Sequence, residues 1–295
     1  MKAAVFGKRR QASADLPLIS ELISTLSARG FMVAVERHFF EAMTRDRGCP
    51  LEADDVFDAD TYPGADVAIS IGGDGTFLRT ARWIGDKETP IIGFNTGHLG
   101  FLAEENLADG GAIVDNLLEG RFFIEERSLL EVSASGDHLR SQLSGWACAL
   151  NEVAILRHDS ASMITVHTYL DDIEIASYQG DGLIISTPTG STAYNLSVGG
   201  PIIQPTAPCW ALSPIAPHAL TMRPLVVSDS HQIITRVEAR SDTYRVTLDG
   251  RQLILPIDVE LSIRRAPFVV KVIHRDTHTF VDTLSSKLLW GISRR

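Results

Sequence analysis

Ile69-Ser70-Ile71-Gly72-Gly73-Asp74-Gly75-Thr76 decides how this chain is read: an apolar run stops at three glycines that surround one aspartate. Residues 66–71 are expected to form a buried strand. Lacking Cβ atoms, Gly72, Gly73 and Gly75 let the backbone turn sharply and bring N–H groups close to a phosphate. Asp74 is the one ionisable group in the turn. Beyond it, residues 77–84 place Leu78, Ala81 and Trp83 on one face, which predicts a helix whose N-terminus favours anions. Two readings stand side by side: a nucleotide site, or a purely structural turn in an α/β domain. The stretch has neither the Gly-Lys-Ser/Thr of a Walker loop nor the Gly-x-Gly-x-x-Gly spacing, so a bound phosphate would be held by another scheme.

At 295 residues the chain exceeds the common single-domain size, and two domains sharing one cleft are expected. Its 44% hydrophobic content can fill two cores, while a formal net charge of −10 argues against general nucleic-acid binding. An anionic ligand would need local donors. Cys49, Cys148 and Cys209 are far apart and form no Cys-x-x-Cys pair, so neither a disulfide framework nor a zinc site is indicated and a reducing compartment is expected. The amino terminus has too short an apolar run for a signal peptide, and no later run is long enough to cross a membrane. The expectation is a soluble cytoplasmic protein.

Around the deciding stretch, residues 3–6 read as a strand ending at Gly7. Lys8, Arg9 and Arg10 follow, either as a solvated loop or as a phosphate contact. Asp15 and Pro17 are helix-start signals, with Leu16, Ile19, Leu22, Ile23 and Leu26 on one face and Gly30 placed to end the helix. Residues 31–35 return as a strand, 38–43 suit a second helix, and the acidic, aperiodic residues 54–64 read as a surface connection. Residues 90–95 form another buried strand leading into a second glycine-bearing loop, Thr96 to Leu102, and two such loops can line one cleft edge. From Phe122 onward short strands recur between turns, with Asp171-Asp172 suited to a tight hairpin. Leu284, Leu288 and Leu289 share helical spacing near the end. The expected domains are therefore an α/β domain with a parallel sheet over 1–121, a β-rich domain over 122–275, and a C-terminal helix over 276–295 packing back on the first domain.

A second cluster opens with Gly180-Asp181-Gly182 and continues into Thr187-Pro188-Thr189-Gly190-Ser191-Thr192-Ala193-Tyr194 and Gly199-Gly200-Pro201. Small hydroxyls and backbone N–H groups bond ribose, amide and phosphate groups, and a Tyr ring stacks on or covers a base. The Gly72–Gly75 motif, Asn151-Glu152 and this cluster, in that order, resemble the NAD kinases, and Asp249-Gly250 and Leu99-Gly100-Phe101-Leu102 match further elements of the family. The resemblance covers Gly72 to roughly Trp290. Its long hydroxyl-rich segment is the specific part, because diacylglycerol and sphingosine kinases resemble the first glycine motif as well.

What the resemblance implies is an NAD kinase/diacylglycerol kinase-like fold that transfers the ATP γ-phosphoryl group to the 2′-hydroxyl of the adenosine ribose of NAD, giving NADP. Asp74 would accept the hydroxyl proton. Gly72, Gly73, Gly75 and Thr76 would hold phosphates, and Mg²⁺ would arrive with ATP, so no protein metal ligand is assigned. Asp74, Gly75, Arg79, Asn151, Glu152, Gln179, Asp181, Thr189, Thr192, Ala193, Tyr194, Asn195, Leu196 and Ser197 would line the NAD site. Arg79 either reaches bound nucleotide or sits solvated on its helix face. Asn151 and Glu152 have an alternative as strand-edge polar residues, and Asp181 as a turn former. Asp249-Gly250-Arg251-Gln252 departs from the family's common Asp-Gly-Gln, which leaves open whether Arg251 or Gln252 meets ligand. Gln179, neutral where some relatives carry arginine, either tunes the choice between NAD and NADH or faces solvent. His98, His158 and His218 are read as ordinary loop or surface histidines. A homo-oligomer is expected by resemblance, polyphosphate stays open as an alternative donor, and the competing functions are a diacylglycerol-type lipid kinase and a non-catalytic dinucleotide-binding regulator.

Overall fold

The structure, a computed structural model, describes residues 1–97, 100–136, 143, 145–158, 162–276 and 279–290. His98 and Leu99 lie outside the described residues, as do residues 277–278 and 291–295 of the expected C-terminal segment. The chain divides into two compact units, Met1–Glu126 with Val270–Arg295 and Arg127–Val269.

In the first unit the strand Val67–Ile71 is buried along its whole length. It lies between Lys2–Gly7 and Ile91–Asn95, parallel to both, with Ile69 opposite Val5 on one side and Ile92 on the other. A strand covered on both faces is apolar without alternation, which is why the run was legible. Among the described residues the sheet order is Asp55–Phe57, Met32–Glu36, Lys2–Gly7, Val67–Ile71, Ile91–Asn95, Val270–Arg275, Phe122–Arg127, with Glu105–Asn106 also paired to Ile91–Asn95. The helix Leu16–Ala28 carries a proline in its first turn, where the missing N–H costs nothing, and buries Ile19, Leu22, Ile23 and Leu26.

Three expectations change here. Residues 54–64 are not only a surface connection: Asp55–Phe57 is an edge strand, because Phe57 packs 5.3 Å edge-on against the fully buried Phe6, which also stacks at 5.6 Å on Trp83. The helix after the glycine turn spans Asp74–Ile84 and buries Thr76, Phe77, Thr80, Ala81 and Ile84, leaving Leu78 and Trp83 half-buried. The domain limits at 121/122 and 275/276 move as well, since residues 122–126 and Val270–Arg275 belong to the parallel-sheet unit, Val272 pairing with Ile91.

The second unit holds, among the described residues, two six-stranded sheets. One has the order Leu225–Ser228, Cys209–Ile215, Gly182–Ser186, Glu152–Arg157, Thr243–Leu248, Arg251–Pro256. The other runs Ile173–Gly180, Ile164–Leu170, Ile233–Glu238, Leu261–Arg265, Leu130–Ala134, Cys148–Ala149. Alternation is clean: Tyr244, Val246 and Leu248 are buried in one core with Val153, Ile155, Val166, Ile233 and Ile263. Leu170 faces Ile173 across the Asp171-Asp172 turn, where Asp171 takes φ +53°.

Candidate functional site

At the end of Val67–Ile71 the chain passes through Gly72 into the helix Asp74–Ile84, with Gly73 as N-cap and no side chain capping it. The free N–H groups of such a turn bind anions. Asp74 sits in this first turn, and its carboxylate is held by three successive backbone donors. Phe101 N–H reaches Oδ2 at 2.8 Å, while Leu102 and Ala103 N–H reach Oδ1 at 3.0 and 3.1 Å. Gly100 permits the approach, because a Cβ there would fall inside the Asp74 carboxylate.

The C-terminal helix Phe280–Leu288 starts with a reciprocal Thr279–Asp282 cap. Thr283 donates to Glu104 at 2.8 Å, and Glu104 also meets His274 at 3.2 Å. The same helix brings Lys287 Nζ to 4.2 Å from the Phe101 ring centre. This ammonium is enclosed and has no hydrogen-bond partner among the described residues. Burial pulls its pKa down to about 8, opposed by the charges of Asp74 and Glu104. Sequence reading missed Lys287: leucine spacing revealed the helix but not which way its lysine turns.

In the second unit Asp249, at φ +47°, repeats the same device. Its carboxylate accepts Leu150 N–H at 2.7 Å, Asn151 N–H at 2.8 Å and Glu152 N–H at 3.2 Å. Burial still raises the Asp249 pKa, against those bonds and the Arg251 charge. Glu152 is buried, and its pKa is pushed up to about 7 by burial and then by Asp249, against a Tyr194 N–H bond. Its Oε2 is enclosed without a partner among the described residues.

The hydroxyl-rich turn locks onto this segment. Thr187 donates to Leu150 O at 2.6 Å and accepts from Gly190 N–H at 3.0 Å. Gly190 is required because a Cβ there would overlap the Asn151 carbonyl. The buried Arg127 donates to Thr189 Oγ1 at 3.2 Å, a contact the sequence did not reveal. Thr192, Ala193 and Leu196 are half-buried, Tyr194 and Ser197 exposed.

Several expected ligand residues are otherwise engaged. Asn195 is fully buried, its amide donating to Ser191 O and Pro201 O and accepting from Ser213 at 2.6 Å, which makes it scaffold rather than lining. Arg251 donates to the Trp146, Cys148 and Leu248 carbonyls, and Gln252 is exposed. Asp181 faces Arg157 at 3.2 Å, Gln179 has an exposed side chain, and His158 meets the Thr243 hydroxyl at 2.7 Å. Among the described residues no three His, Cys, Asp or Glu side chains are grouped to hold a metal ion.

A parallel sheet ending in an uncapped glycine turn, carried in one chain with a β-rich unit built around a rigid hydroxyl-rich turn, defines the class as a two-unit nucleotide-binding fold. Residues 6–122 match the ATP-NAD kinase N-terminal domain and residues 150–275 the ATP-NAD kinase C-terminal domain. The chain is 42% identical over 295 residues to an NAD kinase of Bacteroides fragilis, covering all of both chains. It is also 42% identical to one of Porphyromonas gingivalis, covering 100% of this chain and 99% of the other. The chain belongs to the NAD kinase family. Among solved structures, an Archaeoglobus fulgidus NAD kinase in complex with ATP superposes with a TM-score of 0.70 at 27% identity, over 94% of each chain. A yeast NADH kinase complexed with NADH shares the fold, with a TM-score of 0.87 at 22% identity over 100% of this chain and 89% of that one.

Two outcomes follow from the geometry. Gly100→Ala is expected to drive the loop off Asp74, speeding amide hydrogen exchange at Phe101, Leu102 and Ala103 by about tenfold or more while the amides of Val67–Ile71 keep their rates. Unchanged exchange at 101–103 would refute the tether. For Glu152 the folded pKa is raised, so the folded state binds the extra proton; its contribution is full below 4.5 and is lost as pH rises through about 7. Glu152→Gln should remove that part of the slope, about 1.4 kcal/mol for each pKa unit, in urea titrations at about pH 5 and about pH 8. Asp249 keeps its own contribution in both proteins, so equal slopes would contradict the shift at Glu152.

Proposed function

We propose that this chain transfers the γ-phosphoryl group of ATP to the adenosine-ribose 2′-hydroxyl of NAD, giving NADP. The observation that carries the reading is Asp74, a carboxylate oriented by three N–H donors in the first turn of a helix whose N-terminus no side chain caps. Phosphoryl transfer asks the protein for alignment, charge neutralisation and a proton acceptor, and little covalent chemistry. A carboxylate offers about four lone-pair positions. Oδ1 uses two on Leu102 and Ala103, whereas Oδ2 uses one on Phe101 and keeps one for the attacking hydroxyl. Gly72, Gly73, Gly75 and Thr76 then take the donor's phosphates, and Mg²⁺ enters as part of the Mg-ATP substrate, screening its charge.

For the dinucleotide, Asn151 and Glu152 present polar groups on a segment fixed by Asp249, and Glu152 has an unmet acceptor. Thr189, Thr192, Ala193, Tyr194, Leu196 and Ser197 supply hydroxyl, backbone and ring contacts from the turn beside them. Asp181 serves from the neighbouring strand end. We assign the protein to the cytoplasm, where its three free cysteines remain reduced; cell fractionation checks this.

Incubation with Mg-ATP and either NAD or diacylglycerol tests the reading: NADP is the expected product, and a phosphorylated lipid or no phosphorylated acceptor overturns it. Tyr194→Ala should weaken NAD binding in calorimetry by about 1–3 kcal/mol, the range of a base–aromatic stack. Unchanged affinity would remove the ring from the site. The outer strand Leu225–Ser228 exposes Leu225 at 42% and Val226 at 48%, an apolar sheet edge that association would cover, so a homo-oligomer is expected in light scattering. A single-chain mass at working concentration would contradict that.

A further inference from the structure

We infer that Lys287, on the C-terminal helix Phe280–Leu288, is a positioning residue for the Asp74 carboxylate: its ammonium holds the Phe101 ring, and Phe101 N–H holds Oδ2. The inference rests on the kinase reading above for its consequence in turnover, while the positioning itself is a property of the first unit.

The three donors that hold Asp74 differ in what holds them. Leu102 and Ala103 are buried, and a Cβ on Gly93, in the strand Ile91–Asn95, would come within 2.8 Å of Ala103 Cα and Leu102 O. The strand thus backs those two residues directly, and close packing behind them fixes their N–H groups on Oδ1. Phe101 is only half-buried, and it is the donor to Oδ2. Its ring meets Lys287 Nζ, 4.2 Å from the ring centre and well within cation–π range. The place of Phe101, and with it the orientation of Oδ2, therefore depends on the C-terminal helix.

That helix is set over the segment at two points one turn apart. Thr283 is buried and donates to Glu104, and Lys287 follows four residues later on the same face. Another face is open, with Val281 62% exposed. At nine residues the helix is shorter than the about 12–15 that an isolated helix needs in water, so it owes its form to docking.

The ammonium is the feature that asks for a role. Lys287 Nζ is enclosed without a hydrogen-bond partner among the described residues, a cost that an apolar side chain would avoid. Burial lowers its pKa only to about 8, which leaves it a cation at neutral pH. A desolvated cation over an aromatic face attracts the ring more strongly than an exposed one and fixes its place as well as filling space. Displacing Phe101 lets Oδ2 turn, and misplacing a reacting group by about 1 Å costs about a hundredfold in rate.

Hydrogen exchange on the unliganded full chain, and steady-state kinetics with Mg-ATP and NAD at neutral pH, test the assignment. The proteins are wild type, Lys287→Leu, Lys287→Arg and, as a control on the open face of the same helix, Val281→Ala. In Lys287→Leu the Phe101 amide should exchange about tenfold or more faster and kcat should fall about tenfold or more, with KM for either substrate within about twofold. Its melting temperature should equal or exceed that of wild type, because a buried unpaired charge is gone; a residue that served only packing would lose stability and activity together. Lys287→Arg keeps a cation suited to aromatic faces and should recover most of both losses, and Val281→Ala should match wild type. The role is overturned by wild-type kcat and exchange in Lys287→Leu, by a melting temperature that falls with kcat, or by a raised KM with kcat intact. An equal loss in Lys287→Arg or in Val281→Ala overturns it as well. A wild-type chain that forms no NADP overturns the kinase reading instead, and exchange at Phe101 in Lys287→Leu then still decides the positioning.

Discussion

A carboxylate that accepts three successive backbone N–H groups is the constraint on which both units depend. Asp74 holds residues 101–103 in the first, and Asp249 holds residues 150–152 in the second. Charge-assisted bonds of this kind are stronger than neutral ones, and three from consecutive residues fix the segment's path as well as its position. Without such an acceptor, three neighbouring donors in a partly buried turn would be left to water or to nothing. The motif residues owe their placement to this anchoring. Phe101 meets Lys287 because its own N–H is held by Asp74, and Glu152 lies beside Tyr194 on a segment that Asp249 has already bent into place.

The strand Val67–Ile71, the glycine turn and the alternating strands of the second unit were legible because their patterns are local. A doubly covered strand is uniformly apolar, a turn without Cβ atoms needs glycine, and a one-sided strand alternates. The unit boundary was illegible for the opposite reason. Phe122–Arg127 and Val270–Arg275 read like their sequence neighbours, and only their pairing, which no local pattern encodes, assigns them to the parallel sheet.

The candidate site was legible as a list of segments and less so as a list of side chains. Asn195 lies within the hydroxyl-rich motif, yet it satisfies two carbonyls and a serine hydroxyl in the interior. Arg251 ties down three carbonyls around residues 146–148 and 248. A polar residue that meets a ligand and one that satisfies buried backbone look alike in sequence, because both answer the same need to pair a desolvated group. Lys287 and Arg127 were obscured for a related reason. Isolated basic residues on helices and loops are ordinarily solvated, and only the surrounding packing distinguishes the exceptions.

Asp74 joins structure and chemistry in one side chain, and this changes what its replacement would mean. An asparagine keeps the size but offers one acceptor oxygen, and its amide nitrogen would point donors at whichever of Phe101, Leu102 or Ala103 it faced. Loss of turnover in such a variant would therefore combine a missing proton acceptor with a displaced loop. Gly100 separates the two, since a methyl group there disturbs the loop while leaving the carboxylate in the chain. A proton-acceptor role is isolated only by the loss that Asp74→Asn shows beyond that of Gly100→Ala, and the single lone-pair position left on Oδ2 gives that excess its physical basis.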